Sequence, residues 1–178
     1  MVEFKVLDKT FVPFLSDQEI QEGIKKVATT INQEYVGKKP LFIAILNGSF
    51  MFAADLFKEV TIDAEICFIK LASYKGTQST GHVITSIGLD SNITDRHIIV
   101  VEDIIDTGKT LHTFLPQLVN QQPASLKICT LLHKPEATVY ELSIDYCIFS
   151  IPNKFVVGYG LDYDGFGRNS KEIYQLKV

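Results

Sequence analysis

Leu41-Phe42-Ile43-Ala44-Ile45-Leu46 is an unbroken apolar run, and Ile98-Ile99-Val100-Val101 is a second. A strand with one face in water would alternate polar and apolar residues. These runs do not alternate, so both of their faces must be covered. A parallel sheet with helices packed on either side meets that condition. The intervening segments fit such a sheet. Ser16-Asp17-Gln18-Glu19 is a capping box, and Ile20, Ile24, Val27 and Ile31 follow at helical spacing, which predicts a helix of roughly 15–20 residues. A second helix is expected over residues 50–58, with Phe52, Ala53, Leu56 and Phe57 on one face. A third is expected over 109–120, kinked near His112 by Pro116. Strands are expected at 65–71, 83–87, 97–101, 126–132 and 145–149. The fold class is therefore α/β, a central mainly parallel sheet flanked by helices. Residues 154–178 are aromatic, Gly-rich and charged without a helical period, and with residues 4–14 they read as a flap on that core. No repeat or linker divides the 178 residues, so one domain is expected, with its core at about 15–150 and a small hood at about 1–14 and 151–178.

With 46% apolar residues, a chain of this length builds a core without metal or disulfide staples. Seventeen Lys and Arg against 21 Asp and Glu leave a net charge of −4. A duplex-DNA binder needs a positive face to release counterions, so no nucleic-acid partner is expected. Cys67, Cys129 and Cys147 each sit in an apolar run, with neither CxxC nor zinc-ligand spacing, and read as buried structural thiols. Met1-Val2-Glu3-Phe4-Lys5-Val6 shows no secretory signal, and the longest apolar run is far short of the roughly 20 residues that span a bilayer. A cytoplasmic protein with no membrane partner is expected.

The chemistry is legible from Val100-Val101-Glu102-Asp103-Ile104-Ile105-Asp106-Thr107-Gly108-Lys109-Thr110. An apolar strand leads straight into three carboxylates, and then a glycine turn opens a helix. Ligands of open α/β sheets bind just beyond the carboxyl ends of the strands. Backbone N–H groups at the start of a helix, backed by its dipole, suit a phosphate. Glu102 and Asp103 would repel that phosphate but accept hydrogen bonds from two neighbouring hydroxyls. A ribose 5-phosphate satisfies both ends. Gly108-Lys109-Thr110 also ends like a Walker A loop, yet Asp103 stands where that loop needs its first glycine, and a carboxylate there repels the β-phosphate. A plain solvated turn is the other reading; against it, three acids crowded at one strand exit repel one another without a ligand or cation.

This segment resembles the signature of type I phosphoribosyltransferases, which bind 5-phosphoribosyl 1-diphosphate (PRPP). Four further stretches are similar to the hypoxanthine-guanine branch of that family: Leu46-Asn47-Gly48-Ser49, Ser73-Tyr74, Leu132-His133-Lys134 and residues 154–168. The resemblance implies the type I phosphoribosyltransferase fold, with its sheet, flanking helices and hood. It implies a purine-salvage enzyme that converts hypoxanthine, and guanine, plus PRPP to IMP or GMP and diphosphate. Mg²⁺ is the implied cofactor and a homodimer or homotetramer the implied assembly.

The same resemblance assigns residue roles. Glu102 and Asp103 hold the ribose hydroxyls. Asp106 is the general base at purine N7. Asp106, Thr107, Gly108, Lys109 and Thr110 cradle the 5-phosphate, although Lys109 reads equally as a solvated lysine at a helix start. Lys134 donates to the 6-oxo group; adenine places an amino group there, and a donor facing a donor leaves a buried charge unpaired. Phe155 stacks on the purine, Val156 reads the ring edge through its backbone, and Asp162 lies beside them. Glu102, Asp103 and Asp162 are the implied metal ligands, Asp162 through water. Asn47, Gly48 and Arg168 face the diphosphate, with a cis peptide at Leu46–Asn47 common in such turns. Other members commonly carry lysine where this chain has Asn47. The polar loop over residues 73–81 fits a lid, with Ser73 and Tyr74 as contacts and Gly76 and Gly81 as hinges. His133 reads as a filler. Two other readings are a nucleotide-sensing regulator that binds RNA, which should add a basic face, and a sister enzyme that prefers xanthine.

Overall fold

In the protein, which is described from a computed structural model, residues 3–72, 84–87 and 92–177 are placed. The proposed lid, including Ser73, Tyr74, Gly76 and Gly81, lies outside these described residues. Both ends of the chain contribute to one small sheet: β1 (Phe4–Val6) and β2 (Lys9–Leu15) come from the amino-terminal end. Helix α1 (Asp17–Glu34) follows, then β3 (Leu41–Leu46), α2 (Phe50–Lys58), β4 (Glu65–Ala72) and β5 (Ile84–Ile87). Next come β6 (His97–Ile105), α3 (Lys109–Val119), β7 (Ser125–His133), a short 3₁₀ turn at Pro135–Ala137, and β8 (Tyr146–Ser150). Strands β9 (Val156–Val157) and β10 (Ile173–Leu176) complete the chain.

The larger sheet has the order β5-β4-β3-β6-β7-β8, parallel throughout except for the antiparallel edge strand β5. Strand alternation then covers both faces. Phe42, Ala44, Ile99 and Val101 pack with Ile20, Ile24 and Ile31 of α1 and Phe52 and Leu56 of α2. Leu41, Ile43, Ile98 and Val100 pack on the other face with Leu111, Phe114 and Leu118 of α3. The smaller sheet, β1-β2-β10-β9, is antiparallel and joins the two ends of the chain.

The order of the large sheet creates the crevice. From β3 the chain passes through α2 to β4 on one side, and from β6 it passes through α3 to β7 on the other. These connections leave in opposite directions and on opposite faces, so the carboxyl ends of β3 and β6 flank a topological switch point.

The structure corrects two expectations. Strand β6 does not stop at Val101 but continues to Ile105, pairing Glu102 with Thr130 and Ile104 with Leu132 of β7. Glu102 and Asp103 therefore sit within the strand, because the ladder to β7 holds its backbone past the last apolar run. Helix α3 spans Lys109–Val119 with Pro116 inside it, as expected. The carbonyl that loses its donor belongs to His112, on an exposed face where water can replace it. Cys129 is buried and Cys67 half-buried, but Cys147 is exposed, because it faces outward on the edge strand β8.

The capping box forms as predicted: Ser16 N donates to Glu19 Oε2 at 2.9 Å, and Glu19 N donates to Ser16 Oγ at 3.3 Å. Ser16→Ala is expected to lower the stability of the domain by about 1 kcal/mol. Urea unfolding should register this as a lower midpoint with an unchanged slope.

Candidate active site

Glu102 and Asp103 stand side by side where β6 enters the crevice. Glu102 is only 7% exposed, and the Asp103 N–H donates to its Oε1 at 3.3 Å. Burial pushes the Glu102 carboxyl well above the ordinary carboxylate range, and the neighbouring Asp103 charge adds to the rise. Burial also raises Asp103, against the hydrogen bond from Glu102, nearby backbone amides and the Arg168 guanidinium. No salt bridge reaches either acid among the described residues. Gly48 of the turn after β3 presses on them: a Cβ there would lie 1.6 Å from Asp103 Oδ2. Glycine is thus required for the turn to approach the acid.

Beyond the acids the chain closes around an anion-sized cleft of about 80 Å³, walled by the segment from Glu102 to Leu111. Gly108 caps α3 with φ of +80°, a left-handed conformation that glycine adopts freely. The Cβ of any other residue would also come within 2.8 Å of the Tyr140 carbonyl. The first N–H groups of α3 have no intrahelical partners and face a bound anion at low cost. Lys109 and Thr110 are exposed at this helix start. Asp106 is not left among like charges: Lys134 Nζ lies 3.0 Å from its Oδ2. The Lys134 side chain is 7% exposed and that of Asp106 is 47%. The ammonium is thus buried at the end of β7, and its partner carboxylate opens toward solvent.

The segment after β7 ties this loop in place. Lys134 N donates to Ile105 O at 2.9 Å, and Val139 N and Tyr140 N both donate to Thr107 O. The Thr138 hydroxyl sits 3.1 Å from Asp106 O, 2.9 Å from Lys134 O and 3.0 Å from His133 Nε2. The sequence held no signal for Thr138, since its reach depends on the 3₁₀ turn that returns it over Lys134.

The hood covers the crevice from the other side. A Cβ on Gly160 would lie 2.1 Å from Gly48 O, so the hood backbone rests directly on the turn that rests on Asp103. Arg168 Nη1 donates to Gly160 O at 2.7 Å, and its Nη2 lies 2.8 Å from Asp162 Oδ1. Asp162 Oδ2 accepts from Gly165 N at 2.6 Å. Tyr159 is fully buried and donates to Asp55 Oδ2 of α2 at 2.5 Å, which Gln21 of α1 also reaches at 3.0 Å. Burial would raise Asp55, but bonds from Lys58, Tyr159 and Gln21 hold it below its usual value. The sequence held no signal for this latch, since Tyr159 and Asp55 lie 104 residues apart along the chain.

Phe155 is 43% exposed, its ring 6.2 Å from that of Phe11 and 5.9 Å from that of Tyr163. It lines a cleft of about 580 Å³ with Lys9, Asp162, Tyr163, Asp164 and Leu176. Val156 is buried, but β9 is an edge strand, so one side of its backbone is free to meet a ligand. Asn47 is exposed, and the Leu46–Asn47 peptide is cis. The expected residues thus gather in three groups. Asp106, Lys134 and the Thr107–Thr110 turn form one; Asp103 and Gly48, on which Gly160 rests, form the second; Asp162 and Arg168 form the third.

Among the described residues no three His, Cys, Asp or Glu side chains cluster as a closed metal cage. Glu102 and Asp103 offer two carboxylates that burial disfavours in ionised form. Mg²⁺ usually keeps several waters and takes one or two carboxylates plus substrate phosphates. This donor set fits that cation when it arrives with a phosphorylated substrate.

An α/β sheet whose switch point joins an acid pair to a helix-capping phosphate loop defines a sugar-phosphate-binding enzyme fold. A model of the phosphoribosyl transferase domain matches residues 14–164. The chain belongs to the phosphoribosyltransferase family. It is 43% identical over 164 residues to the hypoxanthine-guanine phosphoribosyltransferase of Streptococcus pneumoniae strain R6, covering 92% of this chain and 91% of that one. It is 39% identical over 178 residues to the hypoxanthine-guanine-xanthine phosphoribosyltransferase of Tritrichomonas foetus, covering 99% and 97%. A crystal structure of a hypoxanthine-guanine phosphoribosyltransferase from Bacillus anthracis superimposes with a TM-score of 0.86 at 40% identity, covering 94% of this chain and 97% of that one.

The acid pair has a consequence for stability. Glu102 holds its proton longer in the folded chain than in the unfolded one, where its ordinary value is 4.5. Its contribution is favourable below that value and is lost as pH rises through the raised folded value. Glu102→Gln is expected to raise the melting temperature of the ligand-free protein at pH 8 while leaving it nearly unchanged at pH 4, as read by calorimetry at the two values.

Proposed function

We propose that this chain transfers the 5-phosphoribosyl group of PRPP to N9 of a 6-oxopurine, hypoxanthine first and guanine second, giving IMP or GMP and diphosphate. The observation that carries this reading is the buried Lys134 ammonium 3.0 Å from Asp106 Oδ2, beside a phosphate loop. The 6-oxo group and N7 of hypoxanthine lie next to each other on one ring edge. A base entering as its N7–H form exchanges the ion pair for two bonds: Lys134 donates to the oxo group, and N7–H donates to Asp106. Adenine would present an amino donor to an ammonium with almost no access to water, a mismatch that such sites reject strongly.

The 5-phosphate rests on the loop from Asp106 to Thr110, and the ribose 2′- and 3′-hydroxyls donate to Glu102 and Asp103. These two hydroxyl donors favour the ionised acids that burial alone disfavours. Phe155 stacks on the purine, and the backbones of Val156 and Asp162 read its far edge. Asn47, Gly48 and Arg168 face the diphosphate; Arg168 brings the fork of donors suited to phosphate oxygens. Glu102, Asp103 and, through water, Asp162 would hold Mg²⁺, which when bound neutralises diphosphate charge. As the C1′–oxygen bond breaks, its electron pair leaves with the diphosphate. The N9 lone pair forms the new C1′–N9 bond on the opposite face, and the N7 proton passes to Asp106. The chain acts as a single catalytic domain, its core at about 15–150 and its hood at both ends. Phe50 and Phe68, 42% and 38% exposed, suit contact with a second copy in a homodimer or homotetramer. The free thiols among the described residues suit the cytoplasm.

A panel of hypoxanthine, guanine, xanthine, adenine and uracil with PRPP and Mg²⁺ tests the reading. Turnover is expected with the first two and not with adenine or uracil; turnover with adenine would overturn it, and preference for xanthine would shift the substrate. Asp106→Asn is expected to lower kcat by roughly 10²-fold with little change in the KM for PRPP. Lys134→Ala is expected to raise the KM for hypoxanthine by about tenfold or more and to narrow the discrimination against adenine.

A further inference from the structure

The paired strands β6 and β7 end at Ile105 and His133. The two side chains that face each other across the base-binding corner, Asp106 and Lys134, belong to the next residues along, at and beyond the last rung, in which Lys134 N donates to Ile105 O at 2.9 Å. We propose that the Thr138 hydroxyl, backed by the His133 imidazole, extends that ladder by one side-chain bridge and positions Asp106 and Lys134 for catalysis. This inference rests on the base-subsite reading above.

The geometry is specific. Pro135–Ala137 forms a 3₁₀ turn, closed by Ala137 N donating to Lys134 O at 3.1 Å, which carries Thr138 back over the strand ends. There the hydroxyl spans Asp106 O at 3.1 Å and Lys134 O at 2.9 Å. Both carbonyls are acceptors only, and the hydroxyl has one proton to share between them. His133 Nε2 lies 3.0 Å from the same oxygen, and for the hydroxyl proton to stay on the carbonyls the imidazole has to donate there. That requirement fixes the imidazole in a form protonated at Nε2. The next two residues, Val139 and Tyr140, anchor their N–H groups on Thr107 O. Three consecutive residues thus bind the backbone of the catalytic acid, that of the oxo-group donor and that of the phosphate loop. Thr138 acts through these groups and touches neither base nor sugar, so it is a positioning residue.

Thr138→Val keeps the shape and removes the hydroxyl. The expected result is a fall in kcat of about tenfold or more, a raised KM for hypoxanthine and an unchanged KM for PRPP, because the Val139 and Tyr140 amides still hold the phosphate loop. Thr138→Ser should restore wild-type values. A valine variant with wild-type constants overturns the proposal. So does a valine variant whose two KM values rise together, or one that serine fails to rescue, since either marks a merely structural role. If Thr138→Val does not fold, His133→Leu and His133→Gln make the same test. Leucine must lower kcat and glutamine, which retains a donor, must restore it; equal behaviour of the two overturns the proposal. If the wild-type protein turns over no base, the activity reading fails, and a crystal structure of Thr138→Val decides the positioning role separately. A Lys134–Asp106 separation opened past about 4 Å upholds it, and an intact pair overturns it.

Discussion

Two adjacent carboxylates near the end of a strand, Glu102 buried and Asp103 half-buried, repel each other with little water to screen them, and the architecture of the crevice follows from keeping them there. Glu102 and Asp103 are presented by β6, whose ladder to β7 holds the backbone rigidly through Ile105. Gly48 brings the backbone of the neighbouring turn against Asp103, and Gly160 brings the hood against Gly48. Burial holds both acids above their ordinary range. The acid pair is therefore short of hydrogen-bond donors and positive charge.

The rest of the site is assembled from elements that are distant along the chain, and polar bonds at their ends hold them together. Tyr159 of the hood donates to Asp55 of α2, which Gln21 of α1 also reaches. One carboxylate thus ties the hood to α2, the helix that follows the Asn47-Gly48 turn. On the other flank the segment after β7 binds the loop between β6 and α3 through Thr138, Val139 and Tyr140. Each such bond contributes only about 1 kcal/mol to stability. Their larger effect is geometric, because misplacement of a catalytic group by about 1 Å can cost two orders of magnitude in rate.

Much of this was readable before any coordinates. Unbroken apolar runs implied strands covered on both faces, and alternation within Leu41–Leu46 divides its side chains between the two helical layers. The helices over Asp17–Glu34 and Phe50–Lys58 lie where their caps and periodicity put them. The end of β6 was not readable, because backbone pairing with β7 continues under side chains that are charged. Cys147 looked buried from its apolar neighbours and is exposed, because an edge strand turns alternate residues outward. Asp106 looked like a third crowded acid and is an ion-pair partner, because Lys134 approaches from another strand.

Local sequence alone determined the elements, the glycine turns and the order of acids before the phosphate loop, since caps, periodicity and φ preferences act over a few residues. Pairing across the crevice was decided only by the tertiary structure. Which backbone rests on Gly48, which cation meets Asp106 and which hydroxyl bridges β6 and β7 are contacts between residues tens of positions apart. Nothing in the spacing along the chain encodes these distances; they are fixed when the sheet is wound and both of its faces are covered.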